Sequence, residues 1–256
     1  MPLFVASIFL SAFLLFQIQP VIARYILPWY GGSPAVWTSC LLFFQVGLLA
    51  GYGYAHALVS FLRGKRRVQI AIHLGLLVLA MILLPITPSE NLKPDGSENP
   101  VIGIVTLLAL TVGFPYFLLS ASGPLLQHWF SEAFPTRSPY RLYAVSNAGS
   151  LLGLISYPFL FEPLFRTSEQ TLIWSWGFAA YAIFAAACGI LFTKKATSHP
   201  TGKAPEDAVP SSVVDKILWV AFAACGSMLL LSLTNQMCQD VAVVPFIWVI
   251  PLSLYL

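Results

Sequence analysis

The sequence predicts an all-α membrane protein: a polytopic bundle of about eight transmembrane helices, the last truncated. Three observations carry this expectation. Hydrophobic residues make up 58% of the 256 and charged residues only 9%, whereas soluble chains carry about a quarter charged; the mean hydropathy is +0.80. The apolar residues gather into stretches close to the roughly 20 helical residues that cross about 30 Å of hydrocarbon. Lysine and arginine collect in alternate loops, as they do on the cytoplasmic side of membrane proteins.

The first stretch, 3–23, follows Met1-Pro2 with no basic segment and no small-residue cleavage site. It therefore reads as a retained helix and not as a removed signal peptide. Further spans are expected at 35–61, 68–86, 101–128, 142–161, 171–192 and 215–236, with another beginning near Val243. That last one stops at Leu256, too short to cross, and reads as part of something longer. The Pro-, Ser- and Lys-rich segment 194–214 reads as a cytoplasmic linker between a six-helix half, 1–193, and the start of a second half, 215–256.

Orientation follows from the basic loops. Arg63, Lys65, Arg66 and Arg67 follow the second span, Arg137 and Arg141 the fourth, and Lys194, Lys195, Lys203 and Lys216 surround the linker. The intervening loops are richer in acids, so the N-terminus is expected to be cytoplasmic. A formal charge of +3 with scattered basic residues gives no sign of nucleic-acid binding. The cysteines Cys40, Cys188, Cys225 and Cys238 lie in apolar stretches without a CxxC pair and read as small buried hydrophobes. The chain has no Asn-x-Ser/Thr acceptor, which fits a bacterial protein.

Sliding the seventh span onto the first by 216 positions aligns Ser227 with Ser11, Asn235 with Gln19 and Asp240 with Arg24. Six helices, a linker and a seventh helix like the first is the layout of a parallel repeat, as in the halves of major facilitator transporters; chance matching of leucine-rich helices is the alternative. Gly53, His56, Gly64, Lys65, Arg66 and Arg67 partly resemble the facilitator loop motif between helices 2 and 3, although no Asp stands at its acidic position.

More specific strings are Gln19-Pro20, Leu27 through Trp37, Phe43-Phe44-Gln45, Gly51 through His56, Tyr140 through Ser150, Tyr157-Pro158-Phe159 and Gln239 through Pro245. Together they resemble the membrane portion of bacterial fused facilitator/spermidine-synthase-like proteins. The resemblance implies a multi-pass protein of the bacterial inner membrane, with a soluble aminopropyltransferase-like domain after the helices. The Gly-rich nucleoside-binding loop of such a domain is absent here, so the resemblance brings over no catalytic residue, cofactor or metal site.

Polar groups inside a bilayer are costly and normally face the bundle interior. Gln17 and Gln19 in the first span, with Asn235, Gln236 and Gln239 in the seventh, are candidate substrate contacts around a central cavity; the alternative is amides that bond neighbouring helices. Arg24 and Asp240 are candidate partners in an external gate, or two separately solvated charges. His56 and His73, near one end of a hairpin, are proton-relay candidates if they meet across it, and packing histidines otherwise. Asn147 is a further buried-amide candidate for a gate or elbow. Gly47-x-x-x-Gly51 and Gly149-x-x-x-Gly153 read as ridges for close helix packing, and Pro20, Pro115 and Pro158 as hinges or kinks. Trp29, Trp37, Trp129, Trp174 and Trp248 are expected near the membrane interfaces.

Two functions remain open. One is a transporter-like domain moving or delivering a polyamine or related small polar solute. The other is a non-transporting anchor for the attached enzyme-like domain. An intramembrane enzyme would need an HExxH, GxSxG or paired intramembrane Asp signature, and none is present.

Overall fold

Helix capping and proline placement set the boundaries seen in the computed structural model, which describes residues 1–94, 99–196, 212–240 and 252–253. Helix α1 spans Pro2–Tyr30, with Pro2 at its first turn, where a missing N–H costs nothing. It runs through Pro20 and Pro28 and stops at Gly31, whose φ of 76° is the left-handed conformation that favours glycine. Arg24 therefore lies inside the helix and not beyond it, a turn and a half from its end. Helix α2 spans Pro34–Phe61 and turns at Gly64, also at φ 76°, into α3, Arg66–Ile82.

At 17 residues, or about 25 Å at 1.5 Å per residue, α3 is shorter than the expected span 68–86. It ends ahead of Pro85, since the residue before a proline is pushed out of the helical region. Helices α4 (Pro100–Ala133) and α5 (Tyr140–Leu164) follow, then α6 (Thr167–Ala196) and α7 (Val213–Asp240). Six helices, all of these except α3, are long and apolar enough to span a membrane. The eighth expected span falls almost wholly outside the described residues, and no strand occurs among those described.

Two helices carry a π-helical turn beside a proline. In α4 it covers Ala109–Gly113, just before Pro115; in α5 it covers Tyr157–Phe161, around Pro158. The missing N–H of each proline breaks the regular ladder and a wider turn accommodates the break.

Helix α1 is the axis of the bundle. Its main neighbours are α5, α6 and α4; α2 packs on α4, α3 on α6 and α4, and α7 on α2. The helices α2, α4, α1 and α5 thus form a row, with α3 and α6 behind it. Glycines make the row tight. A Cβ on Gly51 of α2 would fall 2.8 Å from the Phe117 carbonyl oxygen of α4, and one on Gly153 of α5 would fall 2.5 Å from that of Phe13 in α1. The expected ridges are therefore packing surfaces, each used by a different helix pair.

The tryptophans correct the expectation of an interfacial belt. Trp37, Trp129 and Trp174 are almost wholly buried, and the Trp174 indole N–H donates to the Leu14 carbonyl of α1 at 2.9 Å. Trp29 is half-buried and Trp248 lies outside the described residues. Cys40 and Cys188 are buried as expected, whereas Cys225 on α7 is exposed.

Candidate functional site

The polar side chains of the bundle concentrate at its two ends, and at the end shared with the N-terminus they continue inward. Arg66 opens α3, and its Nε–H donates to Glu132 Oε2 in the last turn of α4 at 2.9 Å. The other carboxylate oxygen lies 3.2 Å from His128 Nε2, one turn earlier on α4. A carboxylate is unfavourable at a helix C-terminus, so these two partners are what hold Glu132 there. The Arg66 guanidinium also sits over the Phe192 ring of α6, 5.5 Å from its centroid.

Deeper along the same face of α3 come Gln69 and His73. The Gln69 side-chain N–H donates to the Leu62 carbonyl at 3.0 Å, which leaves its Oε1 buried and without a partner. His73 is wholly enclosed. Its Nδ1 lies 3.4 Å from the Tyr54 hydroxyl of α2, and its ring meets that of Trp129 of α4 edge to face at a centroid distance of 6.0 Å. Trp129 in turn stacks on Phe192 at 5.7 Å. His73 Nε2 and Trp129 Nε1 are both buried and unpartnered.

At the opposite end Arg24 Nη1 lies 3.3 Å from Glu162 Oε1. Tyr157, buried on α5, faces Arg24 and Glu162 without its hydroxyl reaching hydrogen-bond geometry. Gln170 of α6 closes the turn from α5 by donating to the Phe161 and Phe165 carbonyls at 3.2 and 2.9 Å. Between the ends, Gln17 and Gln19 are buried on α1, with Gln17 Nε2 and Gln19 Oε1 unpartnered among the described residues, and the hydroxyls of Ser122 and Tyr181 are hydrogen-bonded to each other.

The structure rearranges several expected partners. His56 does not meet His73: it lies on the exposed side of α2, where its Nε2 is 3.4 Å from Ser60 Oγ. Tyr54, two residues earlier on that helix, takes the place expected for it. Among the described residues Arg24 pairs with Glu162; the side chains of Asp240 and Gln239, expected beside Arg24 and the amides, lie outside the described residues. Asn235 is half-buried and Gln236 exposed on α7, which packs on α2 and not along α1, where Gln17 and Gln19 lie. Asn147 is exposed on α5, so it is not a buried amide.

Three contributors escaped sequence reasoning. Glu132 was expected beyond the end of its span, although the spacing His128-x-x-x-Glu132 is that of a helical pair and was there to be read. Gln69 and Trp129 carry no local signal, because only the packing of α3 against α4 and α6 gives them a role. A hollow of about 470 Å³ at the Arg24 end, lined by Tyr30, Asn91, Lys93 and Asn99 among others, contains none of the expected site residues.

No family model, no curated protein and no solved structure matches this chain.

Proposed function

We propose that the chain is a facilitator-like membrane domain, allied to the fused spermidine-synthase-like proteins of bacterial inner membranes, that passes a small polar solute. One observation supports the reading above others. Exchanging α1, α2 and α3 with α4, α5 and α6 turns the α2–α4 packing into α5–α1, and the α1–α6 packing into α4–α3, while α1–α4 and α3–α6 map onto themselves. Both members of the first pair are sealed by a Gly-x-x-x-Gly ridge, Gly47/Gly51 against α4 and Gly149/Gly153 against α1. Because α1 and α4 run in opposite directions through a bundle with alternating helices, this exchange is the one that two inverted three-helix units, the plan nested in each facilitator half, would give; the α4–α6 packing departs from it, since α1 and α3 make no comparable contact.

The unpaired amides of Gln17 and Gln19 suit a neutral hydrogen-bonding solute better than a polycation. A polyamine carrier would be expected to hold carboxylates near the midplane, but the described acidic side chains sit at helix ends and in loops. That same distribution favours the second reading, an anchor for an aminopropyltransferase-like domain.

Uptake into liposomes containing the purified chain tests the first reading, with radiolabelled spermidine and a panel of neutral polar metabolites. Accumulation above protein-free vesicles, reduced by Gln17→Leu or Gln19→Leu, supports transport. Correctly inserted protein that moves none of them overturns it in favour of the anchor.

A further inference from the structure

Three buried atoms near the N-terminal end lack partners among the described residues, and their chemistry is complementary. Gln69 Oε1 can only accept, because the amide is oriented by its donation to Leu62. Trp129 Nε1–H can only donate. His73 Nε2 does either, according to whether Nδ1 accepts from or donates to the Tyr54 hydroxyl. All three residues are at least nine-tenths buried. Gln69 and His73 are one turn apart on α3, and the His73 and Trp129 rings meet edge to face. Leaving three such groups unmet would cost about 1–3 kcal/mol each, and a buried water typically makes about three hydrogen bonds to groups of this kind.

We infer that Gln69, His73 and Trp129 enclose an ordered water, and that it serves as an internal proton-exchange site opening toward the N-terminal end past Arg66 and Glu132. The water accepts from Trp129, donates to Gln69 and spends its remaining capacity on His73. With Nδ1–H donated to Tyr54, Nε2 presents a lone pair. A hydronium ion arriving at the water's position gives one proton to Nε2 and remains there as water. Arg66, Gln69 and His73, at spacings of three and four, make a polar stripe from the half-exposed Arg66–Glu132 pair to the enclosed imidazole. The other titratable groups beside the stripe are Tyr54 on α2 and His128 and Glu132 on α4; α6, which also packs on α3, carries Tyr181 and Cys188. The inference rests on a membrane-spanning bundle and is independent of solute transport.

Nitrogen-15 NMR of the full chain in lipid nanodiscs tests it, with His56, His128 and His199 changed to Gln so that only His73 reports. The expected result is magnetisation transfer between bulk-exchanging water and both the His73 ring and the Trp129 indole N–H. Gln69→Met, which keeps the side-chain length and removes the acceptor, should abolish the transfer to His73; Glu132→Gln should slow exchange several-fold without moving the Trp129 signal. Absence of water contact at both rings in the histidine-reduced chain, confirmed for the Trp129 indole in the unmodified chain, overturns the inference.

Discussion

Arg24 of α1 and Glu162 of α5 hold opposite charges 3.3 Å apart at the end of the bundle remote from the N-terminus. Each side chain is about one-third exposed (34% and 36%), so solvent and headgroups screen the pair, and its coupling should stay below about 1 kcal/mol. A double-mutant cycle on thermal unfolding in detergent, with Arg24→Gln and Glu162→Gln, measures that coupling directly. Singles whose effects add fully in the double variant would show that the two charges act apart.

The glycine ridges should be far less tolerant. Gly153→Leu and Gly51→Leu force side chains into backbone contacts and should destabilise by at least the roughly 1–3 kcal/mol typical of overpacking. Gly53, on the same helix as Gly51, has open space where a Cβ would go, and Gly53→Ala should be neutral or slightly stabilising. Melting temperatures of the three variants, measured side by side, check the contrast.

Glu132 ties α4 to α3 through Arg66, with His128 of its own helix as its second partner. Replacing it by Gln removes charge-assisted bonds worth about 1.5–3 kcal/mol when well made, a figure lowered here because the carboxylate is 35% exposed. Hydrogen exchange should accelerate in the first turn of α3 and the last turn of α4, and stay unchanged around Arg24. A uniform increase across the bundle would mean that the residue acts on global stability instead.

The basic clusters predict which end faces the cytoplasm. In a background without native cysteines, Ser138→Cys should be shielded from a membrane-impermeant thiol reagent in intact cells, and Ser89→Cys should react. The opposite labelling would reverse the orientation.

The π turn of α5 governs whether Glu162 reaches Arg24 at all. In a regular helix, nine residues beyond Gly153 would bring Glu162 nearly opposite the α1-facing side, at about 100° per residue. The wide turn over Tyr157–Phe161 rotates it by roughly one residue's worth toward α1. Pro158→Ala, if it restores a regular helix, should abolish the Arg24–Glu162 coupling measured above while leaving the Gly153 contact intact.

Six of the eight expected spans were legible because hydropathy and length act locally, and the glycine ridges because their spacing is itself the packing device; 68–86 folds as a shorter helix and the eighth lies almost wholly outside the described residues. Partners were not legible. Arg24 reaches Glu162 because α5 lies beside α1, and His73 reaches Tyr54 because α2 and α3 lean on α4, relationships that leave no trace in either segment alone. Glu132 was missed by ending α4 too early, where mean hydropathy drops although the helix continues to Ala133. The buried tryptophans show the same limit: a position near a span end does not say whether the ring turns outward or into the bundle.

The central place of α1 has a consequence for biogenesis. It is made before α2 and α3, yet its main neighbours, α4, α5 and α6, emerge only after them. During synthesis α1 must wait in the insertion machinery or in lipid with Ser7, Gln17 and Gln19 uncovered, and its enclosure is completed only when α6 brings Trp174 to the Leu14 carbonyl. A ribosome stalled before α6 therefore leaves α1 without the partner that completes its enclosure and open to quality control.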